Sequence, residues 1–350
     1  MIDVSLGHGP RYSIPKSVTV VHHGPDVVEF RLGVWHARSH VMRDGARQGQ
    51  LSRVVRLLDG TRTVSQIAIA ASVPQEVVVA VLGQLRLEGL LQESGSQSLD
   101  ELLGILYLSP PQATGNLAPV KVIGDGLADR VAALLRDTTP DLSVSVDSSA
   151  AERLAGLAAD DSWLDDDLEL MRVLEPFSSW AGCHVILAEE VIDPHRARGL
   201  NRAALEYGFQ CLYVALDGPF VLVGPTVVPG RSACWECFES RVVMNLRDHA
   251  TYVRYKDALA DSRNRVDVGR SGLPVITSLA ASIAAAECLS FLVTGGASTL
   301  NQMWSFFLPT MELAIHKVLR VPGCPACGSV ERQESHLSFD LRTLEGNETS

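Results

Sequence analysis

The stretch that decides the fold is VKVIGDGLADRVAALLRD, residues 120–137. The run VKVI predicts a buried strand, Gly124 and Gly126 a tight turn, and the apolar spacing from Leu127 onward a helix. A strand, a glycine turn and a helix in this order form the opening unit of a doubly wound parallel sheet. The rest of the chain should therefore continue to alternate strands and helices.

That alternation continues to about residue 335. Strands are predicted in LSVSVD (142–147), HVILAEE (184–190), QCLYVAL (210–216) and FVLVGP (220–225), with a helix in PHRARGLNRAALEYG (194–208). WSFFLP (304–309) and MELAIHKVLRV (311–321) add late strands. The pattern predicts a mostly parallel, doubly wound α/β domain over residues 120–335, followed by a polar tail at 336–350.

The first 95 residues follow a different pattern. SVTVVHHG and DVVEFRLG alternate around Gly24–Pro25 and predict a hairpin, and ARSHVMRD (37–44) predicts a third strand. Three helices follow: one in GQLSRVVRLLDG, one capped by Thr63, and one over Gln75–Leu91 capped by Ser72. Three strands and three helices predict a small winged-helix domain over residues 1–95. Residues 96–119 then form a linker whose apolar centre, LLGILYL, docks on a neighbouring surface.

Size and charge narrow the function classes. A chain of 350 residues that is 46% hydrophobic can form two domains with real cores. The net charge is −11; residues 1–95 hold ten Lys/Arg and eight Asp/Glu, and the remainder holds 20 and 33. Such an acidic body disfavours a nucleic-acid backbone, and the third helix has only Arg86 against Glu76 and Glu88. DNA binding is therefore disfavoured, and the acidic run at 160–170 is interpreted as a solvated face, with a basic partner as the alternative.

The N-terminus and one apolar segment bear on localisation. MIDVSLGHGPRY lacks a basic and then apolar signal pattern, which favours a cytoplasmic, reducing compartment without disulfides. Residues Pro274–Gly295 are long enough to cross a membrane but are rich in Ala and Ser and contain Glu287. We interpret this segment as a buried helix of a soluble α/β protein.

Four of the seven cysteines form two C-x-x-C pairs, in SACWECFES (232–240) and GCPACGS (323–329). Each two-residue gap lets both sulfurs of a pair face one point, and two such turns supply a tetrahedral set of thiolates for Zn²⁺. We predict a closed, structural zinc site; a disulfide pair, an iron–sulfur cluster and free thiols are the alternatives. The predicted ligands are Cys234, Cys237, Cys324 and Cys327. Cys183, Cys211 and Cys288 lie in apolar contexts and are expected to be inert.

The glycine turn raises the question of a nucleotide site. Gly124 and Gly126 resemble a phosphate-binding turn, and Asp147 ends the next strand where a ribose-binding carboxylate belongs. However, the third glycine position is Asp129, whose charge would oppose a phosphate at the helix N-terminus. The pattern leaves two interpretations: a working nucleotide site, or a retained fold whose site has decayed.

The late cysteines together with GLNRAALEYGFQCLYVALDGPFVLVGPTVVPGRSACWECFESR (199–241) resemble the ThiF-like, ubiquitin-activating superfamily. Together with the N-terminal domain, LLGILYLSP and GPTVVPGRSACWEC, the chain resembles the leader-peptide-binding partners of azole-forming YcaO cyclodehydratases. Those partners serve clusters that make thiazole/oxazole-modified microcins, thiopeptides and related peptide antibiotics. Active adenylating relatives place a magnesium-binding Asp after the third strand. Here the nearest candidates are Glu189, Glu190 and Asp193, and none fits D-x-x-D-N, so the resemblance implies that the YcaO partner consumes ATP.

The resemblance also implies where a leader peptide binds. A leader would add as a strand beside the third strand of the N-terminal domain and pack on its last helix. The strand would contribute Ser39, His40, Val41, Met42 and Arg43. The facing helix would contribute some of Val78, Val81, Leu82, Leu85 and Arg86, although these apolar positions equally suit the domain core. Of these we predict Val78, Leu82 and Arg86 as the helix contacts, with Arg43 and Arg86 available to acidic leader residues.

The leading hypothesis is an accessory subunit that binds the leader of a ribosomally made precursor and presents the peptide for azoline formation. We expect no catalytic residue and no ATP on this chain. The family habit of pairing ThiF-like bodies implies a homodimer. The alternative is an ATP-dependent adenylating enzyme that acts on a peptide C-terminal carboxylate.

Overall fold

The structure is a computed structural model that describes residues 9–35, 38–93, 98–107, 117–157, 161–261 and 273–328. The chain divides into two compact units. The first contains residues 1–116 with 135–141, and the second contains 117–134 with 142–350. The predicted tail at 336–350 and parts of the predicted linker lie outside the described residues.

Among its described residues, the first unit contains two small antiparallel sheets and four helices. Its strands are β1 (Arg11–Ser13), β2 (Thr19–His22), β3 (Val27–Leu32), β4 (Arg38–Arg43), β5 (Asp59–Thr63) and β6 (Gln92–Glu93). Its helices are α1 (Gln50–Val55), α2 (Val64–Ala71), α3 (Gln75–Leu87) and α4 (Ser98–Tyr107). The predicted hairpin and third strand form the sheet β2-β3-β4, with β3 in the centre. The second sheet, β5-β1-β6, was not predicted.

The helix boundaries follow local capping. Thr63 begins α2 with a reciprocal capping box, in which the Thr63 amide donates to Gln66 Oε1 at 3.0 Å. The predicted N-cap at Ser72 is wrong, because Ser72 has a left-handed backbone and ends α2 (φ 54°), and α3 starts behind Pro74. Helix α3 stops before the predicted Leu91, because Gly89 (φ 69°) turns the chain and the Leu90 amide donates to Leu85 O.

The second unit is built on one seven-stranded sheet. Its strands are β7 (Val120–Gly124), β8 (Val144–Val146), β9 (His184–Glu189), β10 (Gln210–Asp217), β11 (Phe220–Val227), β12 (Gln302–Phe307) and β13 (Glu312–Lys317). Its helices are α5 (Gly126–Thr138), α6 (Ser148–Gly156), α7 (Asp167–Leu174), α8 (Pro194–Tyr207), α9 (Trp235–Asn245), α10 (His249–Ala260) and α11 (Pro274–Thr294).

The strand order is β13-β12-β11-β10-β9-β7-β8. The pairings from β10 to β8 are parallel, as the strand–helix alternation predicts. The pairings among β10, β11, β12 and β13 are antiparallel, so the sheet is mixed rather than mostly parallel. The reason is local: short turns join β10 to β11 and β12 to β13, and a short turn returns the chain antiparallel.

Helix α11 has the length and apolar composition to cross a membrane, and 56% of its most apolar window is buried. It packs against β10 and β11, as predicted for a core helix. Its one carboxylate is accommodated, because Glu287 Oε2 accepts hydrogen bonds from the Thr299 amide and hydroxyl, both at 2.8 Å. A buried, doubly bonded glutamate belongs to a protein interior rather than to a lipid-facing surface.

The fully buried His184 makes the stability of the second unit depend on pH. Burial lowers the pKa of His184 to about 4 from 6.5, and neither ring nitrogen has a hydrogen-bond partner among the described residues. The unfolded chain therefore binds the proton more readily, and stability falls as the pH drops from 6.5 toward 4. Between pH 7.5 and 5 we expect a loss of about 2 kcal/mol in the free energy of unfolding. Urea titrations of the wild type and His184→Phe at both pH values test this. The free energy of unfolding should fall by about 2 kcal/mol more in the wild type than in the variant. An equal fall in both proteins would contradict the role of His184.

Candidate functional site

The four predicted metal ligands come together in the second unit. Cys234 is the N-cap of α9, Cys237 lies in its first turn, and Cys324 and Cys327 lie in the turns that follow β13. The four Sγ atoms all lie within 4.8 Å of one another. Cys234 Sγ is 3.8 Å from Cys237 Sγ and 3.6 Å from Cys324 Sγ, 90 residues away in the chain. Cys237 Sγ is 3.4 Å from Cys327 Sγ.

These distances match a tetrahedral zinc site. A Zn–S bond of about 2.3 Å places tetrahedral sulfurs about 3.8 Å apart. Burial, together with the other three thiols, raises the pKa of Cys234, so a bound cation is needed to hold the thiolates together. The Val321 amide donates a hydrogen bond to Cys237 Sγ at 3.3 Å. The donor set fits a closed four-thiolate zinc site with no position for water or substrate.

Polar residues that the sequence did not single out hold the two thiol turns in place. Glu236, between the first pair, accepts two hydrogen bonds from Arg202 of α8, at 2.6 and 2.8 Å. Arg202 also donates to Pro325 O, within the second pair, at 3.2 Å. The Trp235 amide donates to Asn201 Oδ1 at 2.9 Å. In the sequence, the signal for such a contact is Glu236 itself: a glutamate between two ligand cysteines predicts a nearby cation, here Arg202.

The other three cysteines are free and buried. Burial raises the pKa of Cys211 to about 12 and also raises the pKa of Cys183 and Cys288. A thiol that stays protonated is a poor nucleophile.

Gly124, the first glycine of the turn, allows β7 and β9 to approach each other closely. Gly124 ends β7 at φ 141°, and a Cβ there would lie 1.8 Å from Ala188 O of β9. Asp125 then directs its carboxylate into the turn, where it accepts hydrogen bonds from the amides of Leu127 (3.1 Å) and Glu190 (2.7 Å). An amide at the start of α5 that would face a phosphate is therefore already bonded to a carboxylate.

The proposed ribose-binding carboxylate has a different role. Asp147 is the N-cap of α6 and accepts hydrogen bonds from the Ala150 amide (3.0 Å) and the Ser149 hydroxyl (2.7 Å). Arg153, one and a half turns into the same helix, lies 3.2 Å from its other oxygen. Capping occupies the oxygens of Asp147 that would face a ribose, which favours the second interpretation of the glycine turn, a retained fold whose site has decayed.

The acidic residues after β9 surround an arginine. Glu189 is buried and pairs with Arg196 at 2.9 Å, and Asp193 caps α8 through the amides of His195 and Arg196. Arg196 Nε also lies 3.5 Å from Asp193. Burial raises the pKa of Glu189, and the Arg196 guanidinium opposes that rise. A guanidinium thus occupies the position between carboxylates that a magnesium ion would need.

In the first unit, β4 is an edge strand, and no described strand pairs with its outer side. Its register with β3 places His40 and Met42 beside the buried Phe30 and Val28, on the face toward the helices. His40 Nδ1 lies 3.0 Å from Glu88 Oε2, so a side chain of the edge strand contacts the residue directly after α3.

The opposite face of β4 carries Ser39, Val41 and Arg43, all exposed. Ser39 Oγ donates to Glu29 Oε1 at 2.6 Å, which ties the edge strand to β3. Val41 is 48% exposed. The backbone and alternate side chains of the edge are thus accessible along its length.

The helix contacts predicted for a leader need correction. Val78 and Leu82 are fully buried in the core of the first unit, together with Leu85, so their side chains cannot line a groove. Arg86 pairs with Glu93 at 2.8 Å and lies over the Tyr12 ring at 5.8 Å, which holds it at β6 and β1. Glu88, the residue directly after α3, contacts the edge strand through His40; in the sequence it stood out only as a negative charge that disfavours DNA binding.

Sequence comparisons identify neither a matching family model nor a matching curated protein. Among solved structures, a heterocyclase in complex with substrate and cofactor matches with a TM-score of 0.64, at 20% identity over 91% of this chain and 40% of that one. The heterocyclase TruD matches with a TM-score of 0.63, at 22% identity over 91% and 43%. E. coli MccB with ATP gives a TM-score of 0.49 at 12% identity. The chain spans about two fifths of the two heterocyclases, with which it shares its fold.

Proposed function

We propose that the chain is a non-catalytic recruitment protein. It binds the leader of a ribosomally synthesised precursor peptide and presents the peptide to a YcaO cyclodehydratase, which converts Cys, Ser or Thr to azolines. The setting is the cytoplasm of a cell that makes thiazole- or oxazole-containing antibiotics. The observation that carries this proposal is the open edge of β4 beside the end of α3.

An open edge suits an extended peptide. Unpaired main-chain groups give affinity to any strand that adds, and pockets for alternate side chains give selectivity. On β4, His40 and Met42 lie on the face toward the helices, while Ser39, Val41 and Arg43 lie on the opposite, exposed face. Met42 is half-buried against the core, and a flexible thioether adapts to varied side chains.

The second unit supports a scaffold role. Adenylation needs free phosphate-binding amides, a metal-binding carboxylate and cations that neutralise the triphosphate. Here Asp125 accepts hydrogen bonds from the Leu127 amide at the start of α5 and from the Glu190 amide after β9. Asp147 caps a helix, and Arg196 pairs with Glu189. We assign the bound zinc a structural role that holds the turns after β13 to the start of α9.

The heterocyclase likeness supports the same process. One matched structure is a heterocyclase with its substrate, and this chain corresponds to about two fifths of it. We assign the ATP-dependent ring closure to the YcaO partner.

The proposal is tested by reconstitution. The full chain should bind a fluorescent peptide carrying the leader of the precursor encoded beside its gene, with saturable polarisation that unlabelled leader reverses. With the YcaO protein, ATP and full precursor, mass spectrometry should show loss of one water per ring, and omission of this chain should abolish it. Ring formation at an equal rate without this chain would refute the recruitment role.

The alternative, peptide adenylation, predicts the opposite result in one assay. We expect no ATP–pyrophosphate exchange above background from the chain with precursor peptide, because the guanidinium of Arg196 and the carboxylate of Asp125 occupy the positions of metal and phosphate. A known adenylating enzyme serves as the positive control. Peptide-dependent exchange by the wild type would support the alternative.

A further inference from the structure

Two further arginines connect the two segments that carry the thiol pairs. Arg241, on α9 after the first pair, donates from Nε to Leu319 O at 3.1 Å, ahead of the second pair. Arg320, on the second segment, donates to Gly230 O at 3.3 Å, ahead of the first pair, and to Cys327 O at 3.0 Å. Each of these arginines therefore bridges segments that lie far apart in the chain.

The charges of these two arginines are not offset by nearby carboxylates. Among the described residues, Arg241 and Arg320 form no ion pair, and their hydrogen bonds go to backbone carbonyl oxygens. Arg202 differs, because its Nε and Nη2 atoms both bond the carboxylate of Glu236. The chain has a net charge of −11, so carboxylates are plentiful elsewhere. Two such arginines beside one site indicate another source of negative charge.

The thiolates of a zinc centre are that source. One Zn²⁺ and four thiolates carry a net charge of −2, and Glu236 adds one negative charge between the first two ligands. Arg202, Arg241 and Arg320 together supply three positive charges, so the centre and the side chains around it become neutral. Charges interact more strongly in a buried site than in water, and three of the four ligand cysteines are buried.

We propose that Arg202, Arg241 and Arg320 balance the charge of the zinc centre and thereby determine how firmly the metal is held. They are positioning residues, which act on the metal through the turns that carry its ligands. Arg320 lies at the accessible side of the site, because it bonds the carbonyl of Cys327, the one ligand that is only half-buried. Groups outside the ligand set commonly change metal affinity 10- to 100-fold. This inference rests on zinc at the four thiols and is independent of leader binding.

The rate of zinc release tests the role of charge. The full chain and its variants are first loaded with zinc, and elemental analysis confirms about one zinc per chain. Each is then mixed with excess 4-(2-pyridylazo)resorcinol, whose zinc complex is followed by its absorbance. Arg320→Gln and Arg241→Gln keep a hydrogen-bond donor but lose the charge, and each should release zinc roughly 10-fold faster than the wild type. Arg320→Lys keeps the charge and should release zinc within about threefold of the wild-type rate.

The matched control is Arg53→Gln, which should release zinc at the wild-type rate. Arg53 also donates to two backbone carbonyls, Gly49 O and Ala71 O, both at 3.0 Å, but it lies in the first unit and bonds neither thiol segment. A wild-type release rate in either of the other Gln variants would overturn the charge balance. Equally fast release from Arg320→Gln and Arg320→Lys would also overturn it. A wild type that holds no zinc would instead overturn the metal assignment, and this inference with it.

Discussion

Cys324→Ser is expected to release the metal and unfold the zinc end of the second unit. The wild type should contain about one zinc per chain, and the variant close to none. A hydroxyl replaces one of four thiolates in a closed site, and structural zinc sites contribute about 10 kcal/mol or more of binding free energy to folding. Loss of one ligand should lower the free energy of unfolding by at least about 3 kcal/mol. Elemental analysis and urea unfolding measure both effects.

The matched control is Cys288→Ser, which also changes a fully buried thiol, in α11. It should keep its zinc, with a stability loss of about 1–3 kcal/mol from a buried hydroxyl. The metal assignment would be contradicted by two results together. The wild type would contain no metal after purification from zinc-containing medium, and it would unfold at the same urea concentration as Cys324→Ser.

Met42→Asp is expected to weaken leader binding roughly 30-fold, about 2 kcal/mol. Met42 lies half-buried on the face of the edge strand that is toward the helices, so a docked strand would bury the new carboxylate without a partner. Fluorescence polarisation with the labelled leader gives the dissociation constant, and thermal unfolding of the free variant gives the cost to the fold.

Val20→Asp separates binding from folding. Val20 has a similar position on β2, at the opposite edge of the same sheet: it is half-buried against the same core and points toward the same face. Val20→Asp should lower the stability of the first unit about as much as Met42→Asp does, while leaving leader affinity within about twofold of the wild type. Equal losses of affinity in both variants would mean that β4 is not the binding edge.

The glycine turn and the thiols show how far the sequence can predict this structure. VKVIGDG and the residues after it predict a strand, a turn and a helix, because each of these depends on neighbouring residues. The two C-x-x-C pairs predict a common site although they are 90 residues apart, because a closed zinc site needs four ligands. The reason for Gly124 is not local, since its Cβ would meet Ala188 of a strand 60 residues later. The same holds for Arg196, whose place between Glu189 and Asp193 appears only once β9 meets α8.

The errors in the first unit have physical causes. Strands β1 and β6 are three and two residues long, too short for an alternation signal. Val78 and Leu82 follow the helical period, which marks an apolar face without indicating whether a core or a peptide covers it. Ser72 and Gln75 have capping-box spacing, but Ser72 ends α2 in a left-handed conformation and cannot also begin α3.

Amide hydrogen exchange on the full chain, with and without saturating precursor leader, tests the central claim most directly. We expect new protection over Arg38–Arg43 of β4 and the end of α3, with the opposite edge strand β2 and the glycine turn at residues 124–126 unchanged. Protection of the glycine turn, or of no segment of the first unit, would contradict it.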